Sequence, residues 1–243
     1  MSPTAWLVLP TFNEAENLEG VVAACTAALE ACAPGGYRIL IVDDSSPDGT
    51  GELADQLAAA HASVEVLHRE RREGLGPAYL AGFRRALDGG AGYVFEMDAD
   101  FSHDPKDLSR LLEAVAAGAD VALGSRYVRG GGVEDWGLVR RVISRGGCAY
   151  ARTVLGLDVR DLTGGFKCFR REVLEAIELD TVRSHGYCFQ VELTARARQR
   201  GFTVREVPII FRDRRQGHSK MSPWIALEAI VVLPQIRWRS RLR

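Results

Sequence analysis

Five short apolar runs alternate with helix-length segments in the first half of the chain, and this alternation constrains the fold most. The runs lie at 5–9, 38–42, 64–67, 93–95 and 120–123. Each has the length of a buried strand and is followed by turn residues or a helix start. Strands that alternate with helices form a mostly parallel sheet with helices on both faces. The sequence therefore predicts an α/β fold with a doubly wound, mostly parallel sheet flanked by helices.

Charged side chains collect where these runs end. They are Glu14, Asp43, Asp44, Asp98, Asp100 and Arg126. Parallel sheets bind ligands at the carboxyl ends of their strands, so one acidic cleft with one cation at its rim is expected. Asp98 and Asp100 are one residue apart, and alternate residues of an extended chain point the same way. The pair can turn its oxygens toward one hard cation, which predicts a divalent metal site.

Charge is distributed unevenly along the chain. The 243 residues are 47% hydrophobic and 26% charged, as in a globular protein with one ample core. Residues 1–123 carry 8 Lys and Arg against 20 Asp and Glu, a net of −12, whereas 124–243 carry 23 against 12, a net of +11. The acidic half suits a cation-assisted site, and the basic half suits phosphates, lipid head groups or nucleic acid.

Several function classes lack their motifs. Gly74-x-Gly76 follows no strand with the spacing of a dinucleotide fingerprint, and no Walker-type loop occurs. No strand–Gly-x-Ser-x-Gly–helix arrangement supports acyl transfer. The five cysteines are scattered without metal-type spacing, which favours reduced thiols in a cytosolic protein. No apolar run approaches the ~20 residues that span a bilayer.

The second half has a different pattern. Residues 127–137 are Gly-rich and predict a long flexible loop, and 138–155 predict a basic helix on which Arg140 and Ser144 share a face. Residues 161–166 predict a turn that enters a strand, and a helix is expected at about 187–200. A strand is expected at 203–211, with Pro208 indicating a sheet edge. Residues 221–243 are apolar and then rich in Arg and Trp, which fits an interfacial helix.

These features together suit transfer from a nucleoside diphosphate. A divalent cation held by acids stabilises a diphosphate leaving group. Asp44, one strand away, can hydrogen-bond a base or ribose. A phosphate acceptor is already anionic near neutral pH, so it needs positioning more than a strong base. Arg126, Arg140 and Ser144 could form a cradle for such an acceptor.

Five motifs then follow one another in a recognisable order. They are LPTFNE at 9–14, VDDSSPDGT at 42–50, MDADFSH at 97–103, GSRY at 124–127 and DLTGGF at 161–166. SHGYCFQ at 184–190, EVPI at 206–209 and GHSK at 217–220 extend the match. In this combination the chain resembles the polyprenol (dolichol) phosphate mannosyltransferases of glycosyltransferase family 2. The resemblance covers about residues 5–222.

The resemblance implies a GT-A (Rossmann-like) fold and an inverting transfer of mannose. The donor would be GDP-mannose, the acceptor a polyprenyl phosphate, the product a β-linked lipid phosphomannose, and the cofactor Mg²⁺ or Mn²⁺. Residues 1–220 would form one GT-A domain, with the nucleotide and metal half at 1–123 and the acceptor half at 124–220. Residues 221–243 would form an amphipathic basic tail.

The resemblance also assigns site residues. The nucleotide-sugar site would comprise Pro10, Phe12, Glu14, Val42, Asp44, Asp98, Ala99, Asp100, Arg126, Arg214 and Lys220. Phe12 replaces the usual Tyr, which keeps a stacking face but loses a hydroxyl. Asp98 and Asp100 match the metal ligands, and Ser102 stands where relatives often carry Gln as a possible third ligand. The acceptor phosphate would meet Arg126, Arg140 and Ser144. Asp100 and Arg126 are the residues expected to act in catalysis.

The membrane is an expected partner because the acceptor is a lipid. The tail and the basic loop near Arg129 are expected to dock the protein peripherally on the cytoplasmic face of the membrane. No nucleic-acid partner is expected, and a membrane-anchoring protein stays open.

Alternative functions also remain. UDP-glucose or another sugar nucleotide could be the donor, and a sugar or protein could be the acceptor. The chain could also be a non-catalytic binder of nucleotides or nucleic acid, and the positive net charge of residues 124–243 favours such a binder. The intact Asp98/Asp100 pair argues against this class of protein, because binding without catalysis does not need a pair of metal-binding acids.

Overall fold

A computed structural model describes residues 4–184, 186–213 and 232–237. The first half runs β1 (Ala5–Thr11), α1 (Ala15–Cys32), β2 (Tyr37–Asp43), α2 (Thr50–Ala60), β3 (Val64–His68), α3 (Leu75–Asp88), β4 (Tyr93–Glu96), α4 (Asp107–Ala116) and β5 (Val121–Ser125). The second half runs β6 (Gly132–Val133), α5 (Leu138–Leu155), β7 (Lys167–Arg170), α6 (Arg171–Ala176), a 3₁₀ turn (Leu179–Thr181), α7 (Gly186–Gln199), β8 (Val204–Pro208) and β9 (Ile210–Phe211). All five predicted strands of the first half are present.

The main sheet has the strand order β3-β2-β1-β4-β7-β5-β8. All neighbouring pairs are parallel except those of β7, which runs antiparallel between β4 and β5. The mostly parallel α/β sheet is thereby confirmed. Pro208 ends β8, the edge strand, as expected for a residue without a backbone N–H.

Two apolar layers cover the two faces of this sheet. Alternate residues of β1 separate cleanly, since Leu7 and Leu9 lie in the core cluster with α1 and α4, and Val8 lies in the cluster with α3 and α7. Helix α3 packs closely because Gly82 has no side chain. A Cβ built at Gly82 would come within 2.4 Å of a methyl group of Val8. This contact fixes α3 over the sheet beneath the candidate site.

The structure differs from the sequence predictions in two connections. The loop predicted at 127–137 contains β6, which pairs in parallel with β9. The strand predicted at 203–211 is divided, because Ile209 donates to Ser125 while its own carbonyl accepts from Gly132. After Pro208 the chain therefore leaves the main sheet and forms a small second sheet.

Six residues of the predicted amphipathic tail are described. Residues 232–237 are helical, and Leu233 and Ile236 are buried in one cluster with Ala151 and Leu155 of α5. This part of the tail packs into the core instead of presenting its apolar side chains on the surface. The rest of the predicted tail, together with Arg214 and Lys220, lies outside the described residues. Within the described ranges, no helix combines the length and the apolar character needed to cross a membrane.

Candidate active site

The carboxyl ends of β1, β2, β4 and β5 meet at one edge of the sheet. Thr11 at the end of β1 pairs with Asp43, and Glu96 at the end of β4 pairs with Val8. The predicted acids and Arg126 follow these strand ends directly in the sequence. Because the register aligns the strand ends, residues from distant parts of the chain are brought to one edge.

The acid pair follows β4 on a tight loop. Asp98 is half-buried and accepts a hydrogen bond from the Tyr79 hydroxyl at 3.3 Å. Asp100 is buried and accepts from the backbone N–H of Ser102 at 3.0 Å. Phe101, between Asp100 and Ser102, has a left-handed φ of 59°, which turns the chain sharply. Burial and the nearby Asp98 raise the pKa of Tyr79 well above its ordinary value, so this hydroxyl stays protonated and donates.

The oxygen atoms of this loop suit a divalent cation. Two carboxylates come from Asp98 and Asp100. Ser102 is 1% exposed, and its hydroxyl oxygen has no hydrogen-bond partner among the described residues, which is unusual for a buried polar atom. No group of three or more His, Cys, Asp or Glu that could enclose a metal occurs in the described part of the chain. The geometry therefore fits a hard cation held on one side by protein oxygens, with the remaining positions left for a substrate.

Asp43 holds its own loop together. Its carboxylate accepts from the Ser46 backbone N–H at 3.2 Å and from the Ser46 hydroxyl at 2.6 Å. A longer contact of 3.4 Å comes from the Thr11 hydroxyl. These bonds shape the turn after β2, which is the role that an Asp at the start of a turn commonly takes.

Asp44 binds a second loop, at 69–74. One oxygen of its carboxylate accepts from the backbone N–H groups of Glu73 at 3.1 Å and Gly74 at 2.9 Å. The other oxygen pairs with the guanidinium of Arg69, and both side chains are largely buried. A carboxylate can accept about four hydrogen bonds. Asp44 therefore positions loop 69–74 and retains acceptor capacity on the oxygen that faces Arg69.

Phe12 carries an arginine on its ring. The guanidinium carbon of Arg72 lies 3.8 Å from the ring centroid, a close cation–π contact. Nearby Glu14 accepts from the Asn17 side chain at 2.9 Å at the start of α1. The predicted pocket residues Pro10 and Val42 are cross-strand neighbours, and both are buried within the sheet. The exposed wall of this region is thus built by Phe12 and loop 69–74.

Arg126 is a fixed cation. Its Nε and Nη2 donate to the two carboxylate oxygens of Asp161 at 2.7 and 2.6 Å, and its backbone N–H donates to the same carboxylate at 2.8 Å. The Arg126 side chain is 5% exposed and the Asp161 side chain is fully buried. The rings of Tyr127, Trp136 and Phe211 lie 5.2–5.5 Å from the guanidinium carbon. Although burial alone would lower the pKa of Arg126, the Asp161 carboxylate raises it above its ordinary value, so the positive charge is permanent.

Arg140 and Ser144 reach the same aromatic cluster from α5. The Arg140 guanidinium carbon lies 4.1 Å from the centroid of the Trp136 ring, and the guanidinium donates to Asp213 at 2.7 Å. Its buried Nε has no hydrogen-bond partner in the part of the chain that the structure describes. The Ser144 hydroxyl accepts from the Tyr127 hydroxyl at 2.6 Å. The structure thus brings the three residues of the predicted phosphate cradle around one pair of rings, Tyr127 and Trp136.

His103 is neutral at this site. Its ring lies between Phe166 and Phe211, whose ring centroids are 5.0 and 5.2 Å away, and its Nδ1 has no hydrogen-bond partner within residues 4–184, 186–213 and 232–237. Burial lowers the pKa of His103 to about 4, against the opposing effect of Asp100. The imidazole therefore packs as part of the aromatic wall.

A buried ion pair supports the site from below. The Lys167 ammonium on β7 lies 2.6 Å from Glu96 on β4 and also bonds Gln190, and Lys167 and Glu96 are fully buried. Burial lowers the pKa of Lys167 and raises that of Glu96, and their mutual attraction opposes both changes. The pair ties β7 to β4 just before the strand reaches Asp98.

Sequence reasoning assigned no role to Asp161, Trp136, Arg72 or Lys167. A lone lysine inside the apolar run Phe166–Phe169 is a detectable signal of a buried partner. Arg72 belongs to a basic cluster at 69–72 within an otherwise acidic half, which also sets it apart. Asp161 and Trp136 carry no such local signal, because their partners are distant in sequence.

Comparisons with known proteins agree with this architecture. A family model described as Glycosyl transferase family 2 matches residues 6–178. The chain is 50% identical, over 97% of its length and 88% of the relative, to polyprenol monophosphomannose synthase of Mycolicibacterium smegmatis. It is 46% identical, over 92% of its length and 90% of the relative, to undecaprenyl-phosphate mannosyltransferase of Micrococcus luteus. The structure of a Pyrobaculum calidifontis mannosyltransferase in complex with GDP-Man and Mn²⁺ matches with a TM-score of 0.62 at 15% identity, covering 100% of this chain and 74% of that one.

Proposed function

The chain belongs to glycosyltransferase family 2 and is a glycosyltransferase with a GT-A fold, and on that premise we propose that it transfers mannose from GDP-mannose to a polyprenyl phosphate. The reaction inverts the anomeric carbon and uses a divalent cation. One observation carries the proposal: an acidic, cation-suited loop and a cradle of Arg126, Arg140 and Ser144 come from the two halves of one domain. The names of the relatives at 50% and 46% identity support the same donor sugar and lipid acceptor.

The donor binds at the acidic edge. Asp98, Asp100 and Ser102 would hold Mg²⁺ or Mn²⁺, and the buried hydroxyl of Ser102 would add an oxygen to the two carboxylates. When bound, this cation neutralises the diphosphate and so stabilises the leaving GDP. Phe12 offers a stacking face to the base, and Asp44 offers a carboxylate oxygen to the base or ribose. A base that stacks on Phe12 from the side of Arg72 displaces that guanidinium.

The acceptor phosphate binds beside the aromatic cluster. Arg126 supplies a charge that Asp161 holds in place, so little reorganisation is needed when the anion arrives. Arg140 is only partly engaged by Asp213, and Ser144 adds a hydroxyl one helical turn away. A phosphate oxygen attacks the anomeric carbon as the bond to GDP breaks on the opposite side, which inverts the configuration. The nucleophile is already ionised, so no general base is required, in keeping with a neutral His103.

Remaining parts of the assignment are proposed on the resemblance. Arg214 and Lys220 contribute to the diphosphate site, and Ala99 lies against the sugar nucleotide. Residues 1–220 act as one catalytic domain with a donor half and an acceptor half, and 221–243 form its tail. The protein works at the cytoplasmic face of a membrane because its acceptor is embedded there. Activity does not require a membrane-anchoring protein partner.

The second candidate differs only in the donor. UDP-glucose would use the same acidic edge and the same acceptor cradle, and pocket residues around Asp44 would select the base. The purified chain is incubated with Mn²⁺, a short water-soluble polyprenyl phosphate and either radiolabelled GDP-mannose or radiolabelled UDP-glucose. Labelled lipid from GDP-mannose alone is expected. Label from UDP-glucose alone would replace the donor, and nucleotide binding without a lipid product from either donor would favour a non-catalytic binder.

A further inference from the structure

Helix α3 holds two acids that follow different strands of the sheet. Asp44 follows β2 and Asp98 follows β4, and β1 lies between these two strands. At the start of α3, the backbone N–H groups of Glu73 and Gly74 donate to one oxygen of Asp44. Five residues after Gly74, which is about 7.5 Å along the helix axis, the Tyr79 hydroxyl donates to Asp98. One helix therefore hydrogen-bonds both acids and sets their spacing.

Close packing fixes α3 in place. A Cβ built at Gly82 would lie 3.1 Å from a methyl group of Val42 on β2, in addition to its closer approach to Val8 on β1. On the side of α7, a Cβ built at Gly76 would lie 3.2 Å from the Phe189 ring. Interiors packed this tightly transmit a shift of one element to its neighbours instead of absorbing it. Helix α3 is thus a rigid support for the side chains of its first two turns.

The Tyr79 ring is packed against two other aromatic rings. Its centroid lies 5.7 Å from that of Phe83 on the same helix and 6.0 Å from that of Phe189 on α7, in stacked arrangements. All three residues are fully buried. Because a tyrosine has two side-chain torsions and packing restricts both, the hydroxyl oxygen is held at one place. That place is 3.3 Å from Oδ1 of Asp98.

We propose that Tyr79 is a positioning residue for the cation site, and that its hydroxyl orients the carboxylate of Asp98 toward the cation. This inference rests on the proposed function, which takes Asp98 as a cation ligand. A carboxylate that is already oriented loses less conformational freedom when the cation binds. Side chains that hydrogen-bond a metal ligand commonly change metal affinity by about tenfold or more for this reason.

A purely structural role for the hydroxyl is the competing explanation. A buried tyrosine hydroxyl needs a hydrogen-bond partner, and Asp98 would then be no more than that partner. The hydroxyl contributes to the affinity for the cation in the first case, and only to the stability of the cation-free fold in the second. The two roles can therefore be separated without measuring turnover.

Tyr79→Phe removes the hydroxyl and keeps the stacked ring. Binding of Mn²⁺ alone to the full chain is measured from the EPR signal of the free ion, so no nucleotide or acceptor is needed. The Kd of Mn²⁺ should rise about tenfold in this variant. In EDTA its melting temperature should change by no more than about 4 °C, because one hydrogen bond contributes little to stability.

Tyr37→Phe is the matched control. The Tyr37 hydroxyl also donates to a carboxylate, that of Glu30 at 3.1 Å, but this pair is exposed and Tyr37 lies at the start of β2, away from the acidic edge. The control should bind Mn²⁺ like the unaltered chain.

A double-mutant cycle tests whether Tyr79 acts through Asp98. Asp98→Ala should weaken the binding of Mn²⁺. Adding Tyr79→Phe to that variant should weaken it no further, because the carboxylate that the hydroxyl orients is already gone.

Three outcomes would overturn the inference. An unchanged Kd of Mn²⁺ in Tyr79→Phe would leave the hydroxyl with a structural role alone. A further tenfold loss on adding Tyr79→Phe to Asp98→Ala would show that Tyr79 does not act through Asp98. Absence of Mn²⁺ binding by the unaltered chain would remove the cation site and the inference with it. A chain that binds Mn²⁺ as described but transfers no mannose would contradict the proposed function and leave the inference in place, so the two ideas can fail separately.

Discussion

The stability of the protein should depend strongly on the buried ion pair of Arg126 and Asp161. Asp161→Asn keeps the shape of the side chain but removes its charge and turns an amide N–H₂ toward N–H donors. Asp161 is fully buried and receives three hydrogen bonds from Arg126, at 2.6, 2.7 and 2.8 Å. The variant therefore leaves a buried guanidinium without its counter-charge.

The expected cost follows from this burial. Breaking a buried ion pair by removing one partner costs about 3–5 kcal/mol of folding free energy. For a chain of this size, 1 kcal/mol lowers the melting temperature by about 2–4 °C. Asp161→Asn should thus lower the melting temperature by about 10 °C. Transfer should fall as well, because Arg126 loses the partner that holds it at the acceptor cradle.

Asp180→Asn is the matched control. Asp180 pairs with Arg84 at 2.5 Å, but both side chains are exposed, at 86% and 45%. Exposed pairs contribute about 0–1 kcal/mol, so the melting temperature should change by no more than about 2 °C. Calorimetry of both variants in the same buffer gives the comparison. Equal shifts, or a native melting temperature for Asp161→Asn, would refute the reasoning that burial sets the cost.

Three further predictions concern the site. Ser102→Ala should leave the EDTA-treated protein at least as stable as the unaltered chain, because it removes a buried unpartnered hydroxyl whose burial costs about 1 kcal/mol of folding free energy. The rise in melting temperature on adding Mn²⁺ and GDP should be smaller in this variant. An unchanged rise would exclude Ser102 from the cation site. The pKa of His103 is about 4 in the folded protein and 6.5 ordinarily, so the folded state binds fewer protons than the unfolded state. The free energy of unfolding should therefore fall by about 3 kcal/mol as the pH is lowered from 6.5 to 4. His103→Phe should lose less stability over this interval in EDTA, and an equal loss measured by urea unfolding would contradict a buried neutral imidazole. Arg140→Ala should raise KM for a water-soluble polyprenyl phosphate about tenfold and leave the Kd of GDP-mannose within about twofold. The control Arg141→Ala, at the exposed neighbouring residue, should change neither constant. Equal losses of donor and acceptor binding in Arg140→Ala would argue against a separate acceptor cradle.

The sheet and its strand ends could be predicted because their signals are local. Each predicted strand is a short, mostly apolar run, and parallel strands in an α/β pattern place their carboxyl ends together. The acids of 98–100 follow from this rule alone. The place of β7 could not be predicted, because four residues with Lys167 and Arg170 at their ends do not specify an antiparallel position between β4 and β5.

Contacts between distant residues also escaped prediction. Arg126 and Asp161 are 35 residues apart, and neither local pattern indicates the other. Helix α5 illustrates a second limit. Its sequence offers apolar residues on two opposite faces, and only the packing of Cys148 and Leu155 decides which face is buried. The sequence alone does not distinguish the exposed face of α5 from a core face.

The decisive measurement is the dependence of mannose transfer on a divalent cation at Asp100. Lipid phosphomannose formed from GDP-mannose is measured against Mn²⁺ concentration, and in EDTA, for the unaltered chain, Asp100→Asn and the control Asp180→Asn. We predict saturable dependence on Mn²⁺, no product in EDTA, and a loss of about a hundredfold or more in Asp100→Asn with a native melting profile. Asp180→Asn should transfer normally. Product formation in EDTA, or near-normal transfer by Asp100→Asn, would contradict a cation-dependent reaction at this edge of the sheet.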